Sequence, residues 1–105
     1  MADFTKILQQ AQQMQGKLQL IQEELGNMTV TGVSGGGMVS VTADGKGQVR
    51  AVKLNSSVVN PEDIEMQEDL IAAAVADAQK KATDLAQEEM RKLTGGLPLP
   101  FKLPF

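Results

Sequence analysis

Apolar residues recur at alternating spacings of three and four through the first quarter of the chain, at Phe4, Ile7, Ala11, Met14, Leu18, Ile21 and Leu25. All seven fall on one stripe of a helix, which predicts a helix over residues 3–25. Asp3 or Thr5 suits its start, and Gly26-Asn27 suits its end, because both tolerate the left-handed conformation that follows a helix. Gly16 interrupts it at a cost of roughly 1 kcal/mol relative to Ala. The period then changes. Three short segments rich in Val and Thr, residues 28–33, 38–43 and 48–54, predict strands. Ser34-Gly35-Gly36-Gly37 separates the first two, and Asp44-Gly45-Lys46-Gly47 reads as a tight hairpin turn needing positive φ. Strict alternation places Val39, Val41, Val49 and Ala51 on one face and Met38, Val52 and Leu54 on the other. Both faces are partly apolar, so both are expected to meet protein.

Asn60-Pro61-Glu62 predicts the start of a second helix. Asn is a good N-cap, Pro suits the first helical position, and Glu62, Asp63 and Glu65 suit the positive end of the helix dipole. Ile71, Val75, Ala78, Ala82, Leu85 and Leu93 give an apolar stripe, and Ala72, Ala73, Ala74 and Ala76 allow another backbone to approach. Thr94-Gly95-Gly96 stops the helix. Residues 97–105 alternate Pro with Leu and Phe, which predicts an extended, polyproline-like tail outside the core. The expected fold class is α+β: an α-β-β-β-α protomer with a three-stranded antiparallel sheet, one domain over residues 1–96 and a tail over 97–105. A helix over residues 61–93 is ~50 Å long at ~1.5 Å per residue, whereas a compact domain of this length has a radius of gyration of ~13 Å. Long helices therefore project, and a small sheet with two edges and two apolar faces is expected to bury them in a homodimer.

Composition narrows the chemistry. The chain has no Cys and no His, so it lacks thiolate chemistry and the usual general base and metal ligand. Its only aromatic residues are 3 Phe. Glu23-Glu24 and Glu88-Glu89 are adjacent on helices and point apart, so neither makes an acid/base pair. The glycine run lacks the Gly-Lys-Ser/Thr of a phosphate loop and reads as a turn. No enzyme activity, cofactor or metal is expected. The start, Met1-Ala2-Asp3-Phe4, has neither the basic nor the apolar part of a secretory signal, and no stretch approaches a membrane span. The expected location is the cytoplasm.

The net charge of −3 counts against simple DNA binding, but its distribution matters more. Residues 27–60 hold Lys46, Arg50 and Lys53 against Asp44 alone, the one locally basic segment. On the second helix, Lys80-Lys81 and Arg91-Lys92 stand ~16 Å apart and ~20° from an integral number of turns, so the pairs share a face. They suit phosphate contact, or else an ordinary solvated face balanced by Asp84, Glu88 and Glu89. The first helix carries seven Gln between positions 9 and 22, which can read adenine edges or serve as neutral helix formers.

Several segments together resemble the YbaB/EbfC family. They are Ala11-Gln12-Gln13-Met14-Gln15, Val30-Thr31-Gly32, Gly35-Gly36-Gly37-Met38-Val39 and Asp44-Gly45-Lys46-Gly47. Glu68-Asp69-Leu70-Ile71-Ala72-Ala73-Ala74, Asp77-Ala78-Gln79-Lys80-Lys81 and Phe101-Lys102-Leu103-Pro104-Phe105 continue the likeness. The resemblance implies a homodimer with central sheets and helices projecting like tweezer arms, bound to double-stranded DNA in the nucleoid. It assigns DNA contact to the arms, with Lys80 and Lys81 at paired basic positions of the last helix and Lys6 and Lys17 on the first. The competing expectation is a protein-interaction adaptor for DNA repair or replication, holding its partner with the Ala-rich helix and the apolar tail.

Overall fold

The computed structural model describes residues 2–93. The tail over 97–105 lies outside the described residues. The elements follow in the order helix α1 (Ala2–Asn27), strands β1 (Thr29–Ser34), β2 (Val39–Asp44) and β3 (Val49–Leu54), and helix α2 (Ile64–Leu93). Short 3-10 turns, Gly35–Gly37 and Ser56–Val58, follow β1 and β3. The strands form one antiparallel sheet in sequential order, the α-β-β-β-α arrangement of an α+β protein. Its extents of 72 × 22 × 17 Å and radius of gyration of 19.1 Å make the protomer elongated.

α2 lies across β1 and β2. Its contact face is Ala74, Ala78, Ala82, Ala86 and Met90, all buried. The larger Ile71, Val75, Leu85 and Leu93 are half-buried beside it. Small residues occupy the centre because the helix backbone sits directly on β1. A Cβ on Gly32 would fall 2.2 Å from the Ala78 nitrogen and 2.4 Å from the Ala74 carbonyl oxygen. The close approach therefore belongs to Ala74 and Ala78, whereas Ala72, Ala73 and Ala76 face solvent. The buried residues repeat every fourth position, which turns the stripe by ~40° per step on an α-helix. The N-terminal half of α2 thus meets the sheet, and its C-terminal half turns towards α1.

Local chemistry moved two of the expected features. α2 begins at Ile64, not at Pro61. The Asn60 side chain accepts the Glu62 N–H at 3.0 Å, and its carbonyl accepts the Asp63 N–H at 3.0 Å. Pro61 thereby sits inside a turn, where its fixed φ is equally suited. Asp63 caps the helix instead, accepting the Met66 N–H at 3.1 Å. In the sheet, Thr42 pairs with Ala51 but Ala43 pairs with Val49, so Arg50 is an extra residue in β3. This bulge reverses the alternation. Val49, Val52 and Leu54 share the α2-facing side with Val39 and Val41, and Ala51 lies on the opposite side.

The hairpin after β2 is anchored to α1. The Gly45 N–H donates to the Leu25 carbonyl at 2.8 Å. A Cβ there would lie 2.6 Å from that same oxygen, so Gly45 is needed for close approach. Asp44, 1% exposed, accepts the Lys46 N–H at 2.9 Å, the Gln48 N–H at 3.0 Å and the Arg50 guanidinium at 2.7 Å. Burial pushes its carboxyl up. The donors from Gln48, Lys46 and Arg50 outweigh that and hold it below the usual aspartate range.

Candidate nucleic-acid interface

The two edges of the sheet are finished differently. On β1, the outward Val33 N–H donates to Asp77 Oδ2 at 3.0 Å, and Lys81 Nζ donates to the outward Thr31 carbonyl at 2.9 Å. Asp77 and Lys81 pair with each other at 3.1 Å, one turn apart on α2. The Val33 N–H, and then Lys81, hold the Asp77 carboxyl below its ordinary range. Among the described residues, no side chain caps the outward edge of β3. Its α2-facing side is also bare: Val49, Val52 and Leu54 are 43%, 45% and 36% exposed. Val59, Ile64 and Met66 add exposed apolar surface in the following segment.

The nine basic candidates fall into two groups. On α2 every one is engaged. Lys80 pairs with Asp84 at 3.6 Å, and Lys81 serves the β1 edge. Arg91 Nε donates to Glu88 at 3.0 Å, and Lys92 pairs with Glu89 at 3.3 Å. The Arg91 bond lowers the Glu88 carboxyl and raises the guanidinium. These are the local pairings that a balanced solvated face produces. Arg50 is likewise tied, to the buried Asp44.

The remaining four, Lys6, Lys17, Lys46 and Lys53, form no side-chain hydrogen bond or ion pair with the described residues. Lys6 and Lys17 are exposed on α1, ~16 Å apart and ~20° from alignment around the axis. Lys46 reaches over Gly26 at the C-terminal end of α1, where a cation suits the helix dipole. Lys53 pairs with Ser40 in the sheet, on the side away from α2. The acids concentrate elsewhere: Glu62, Asp63, Glu65, Glu68 and Asp69 all lie at the start of α2, near the Gly35 end of β1. Between residues 3 and 22 α1 carries only Asp3, Lys6 and Lys17 as charged side chains, so its two lysines stand among neutral glutamines and not among carboxylates.

Sequence spacing made the Asp77–Lys81 and Lys80–Asp84 pairs legible, since each is four residues apart. It gave no sign that Lys81 and Asp77 would finish a sheet edge more than forty residues away in sequence. No described helix is long and apolar enough to cross a membrane.

A narrow antiparallel sheet with a projecting helical arm and exposed lysines defines a small α+β protein suited to lying along a polyanion. Residues 1–97 match the YbaB/EbfC DNA-binding family, and the chain belongs to that family. It is 55% identical to a nucleoid-associated protein of Gemmatimonas aurantiaca over 98% of this chain and 99% of the relative. It is 48% identical to one of Rhodospirillum rubrum, with both chains covered in full. The fold is that of an uncharacterized protein of Helicobacter pylori (TM-score 0.78, 24% identity, 88% of this chain and 97% of that chain covered).

Proposed function

We propose that this chain is a nucleoid-associated protein that binds duplex DNA as a homodimer in the bacterial cytoplasm, with Lys6 and Lys17 on the α1 arms as its principal phosphate contacts. Membership of a DNA-binding family carries the DNA part of this reading, and relatives named nucleoid-associated support the location. The free lysines support the choice of arm. A lysine already paired on its own helix must give up that partner to bind phosphate, whereas Lys6 and Lys17 do not. Lys46 and Lys53 supply secondary contacts nearer the sheet, and Lys80, Arg91 and Lys92 contribute after exchanging their carboxylate partners. The role is one of binding, with no catalytic step.

The state of β3 supports the homodimer. The strand's open edge and bare apolar side are removed together when a second copy docks there about a two-fold axis. Two pairs of arms then reach the same duplex, and specificity comes through DNA shape and arm spacing in preference to base edges.

The test is a fluorescence-anisotropy titration of duplex DNA across salt concentrations. Affinity is expected to fall steeply with salt, and K6A/K17A to reduce the log–log slope by roughly 1.8 per protomer engaged, at about 0.9 per phosphate contact. K80A is expected to change it less. An affinity indifferent to salt overturns the reading.

A further inference from the structure

Burial along the α1 seam gives out halfway. Leu25 is buried, and Ile21 and Leu18 are half-buried. Met14, Ile7 and Phe4 are 42%, 60% and 65% exposed, and Ala11 is exposed between them. Leu8, beside the seam, is 49% exposed. The bare part of the seam, from Phe4 to Met14, is ~15 Å long at ~1.5 Å per residue.

Its spacing is complementary to itself. In heptad terms Phe4 and Ala11 stand at a, Ile7 and Met14 at d, and Leu8 at e. Lys6 at c and Gly16 at f are turned away from the seam. When two such helices meet antiparallel, each a faces a d of the other helix, g flanks g, and e flanks e. One register sets Phe4 opposite Met14 and Ile7 opposite Ala11, with a two-fold axis level with residue 9. It uses all four bare seam positions and none of the covered ones. Leu8 then meets Leu8 of the second copy beside the axis, and the small Ala11 leaves room for Ile7.

The charges select that register independently. Asp3 and Lys17 both stand at g. In this register Asp3 of each copy faces Lys17 of the other, so the two ends of the contact close with an ion pair each. Neither residue has an ion pair with the described residues of its own protomer. Sliding one heptad along sets Asp3 against Glu24 and calls on Leu18 and Ile21, which are already half-covered. A parallel pair, in which g flanks e, sets Asp3 beside Leu8 and Lys17 beside Gln22, and neither charge finds a partner. Exposure and charge thus point to the same alignment.

We propose that the N-terminal half of α1 is a self-association surface, on which the helices of two copies pair antiparallel over residues 3–17. Beyond residue 17 the two chains diverge in opposite directions, which puts their Leu25 residues ~48 Å apart along the helix axis. The joint uses neither sheet edge and stands whether or not the chain dimerises through β3. Lys6 stays outward, and Lys17 is shared between the joint and any phosphate it binds.

Disulfide trapping tests the joint in the full-length chain. The chain has no Cys, so Phe4→Cys and Met14→Cys each carry a single thiol. Mixed and then oxidised, the two variants are expected to give a band at twice the single-chain mass on a non-reducing gel, lost when oxidation is done in urea. Each variant alone is expected to stay at the urea level, because like positions lie ~15 Å apart along the axis. Adding Asp3→Lys to both partners, or Lys17→Asp to both, sets like charges against each other and is expected to cut the yield at least about fivefold. Adding both changes together restores it. A strong band from either variant alone means a parallel pairing. A yield blind to the charges means another register, and no band above the urea level leaves the stripe to an occupant other than a second copy. Each of these three outcomes overturns the proposal.

Discussion

β1 and β3 flank the same central strand, β2, and have the same length, six residues each. β1 lies under α2, has Gly32 pressed against the helix backbone, and has its outward N–H and C=O groups answered by Asp77 and Lys81. Among the described residues no helix lies over β3, and every one of its residues is exposed. The contrast shows how a sheet of three strands limits its own assembly. With two open edges, β1 of one copy could add to β3 of the next without end. With one edge finished by charged side chains, the proposed homodimer has only β3 left to add to, and a contact of β3 with β3 closes after two copies.

The largest expected effect comes from lifting the helix off the closed edge. Gly32→Val places side-chain atoms where the Ala74 and Ala78 backbone now lies. A destabilisation of about 3 kcal/mol or more is expected, read as the shift of a urea unfolding curve followed by circular dichroism. A variant as stable as the parent would mean that α2 is not seated on β1 as described.

Next in size is an attack on the open edge. Val52→Asp puts a charge on the bare α2-facing side of β3, at a residue 45% exposed in the protomer. The fold is expected to persist while self-association weakens about 100-fold or more, because burying an unpaired carboxylate is costly. Light scattering behind a sizing column measures it. Unchanged association would place the interface elsewhere.

The smallest effect on stability, and the sharpest on the comparison, is to open β1. D77A/K81A removes both caps and keeps the packing of Ala74 and Ala78. Species larger than the parent assembly are expected in sedimentation velocity, with the melting curve only slightly lowered. Acid should do the same without mutation. The Asp77 carboxyl is held low in the folded protein by the Val33 N–H and Lys81, and Asp44 by its own donors. Their stabilisation is therefore complete above the unfolded aspartate value of about 3.9 and is lost as pH falls through the lower folded values. A melting temperature flat with pH below about 4 would contradict both pairings.

Much of this architecture was legible one residue at a time. The heptad-like seam marked α1, and the alternation bounded by Gly marked three strands to within a residue or so at each end. Misreadings arose where one residue type suits two environments. Asn60-Pro61 begins a helix or closes a turn with equal ease, and Asp63 took the cap. In β3 one bulged residue, Arg50, carried Val52 and Leu54 to the opposite face from the one that strict alternation gives. On α2 the alanine-rich run predicts close approach at Ala72, Ala73, Ala74 and Ala76 alike, but only Ala74, with Ala78 of the apolar stripe, meets the sheet, because Gly32 lies opposite.

The basic residues divide along the same line. Their positions and the balancing acids on α2 could be read from spacing, because partners one turn apart depend only on helical geometry. That Lys81 serves Thr31, and that Arg50 is committed to a buried Asp44, depends on strand register and on how α2 lies across the sheet. Sequence alone thus determined the kinds of element, their order and the family they belong to, since period, propensity and turn chemistry act over a few residues. Tertiary structure alone decided which strand edge stays open and which lysines stay free, since both turn on contacts between segments far apart in the chain.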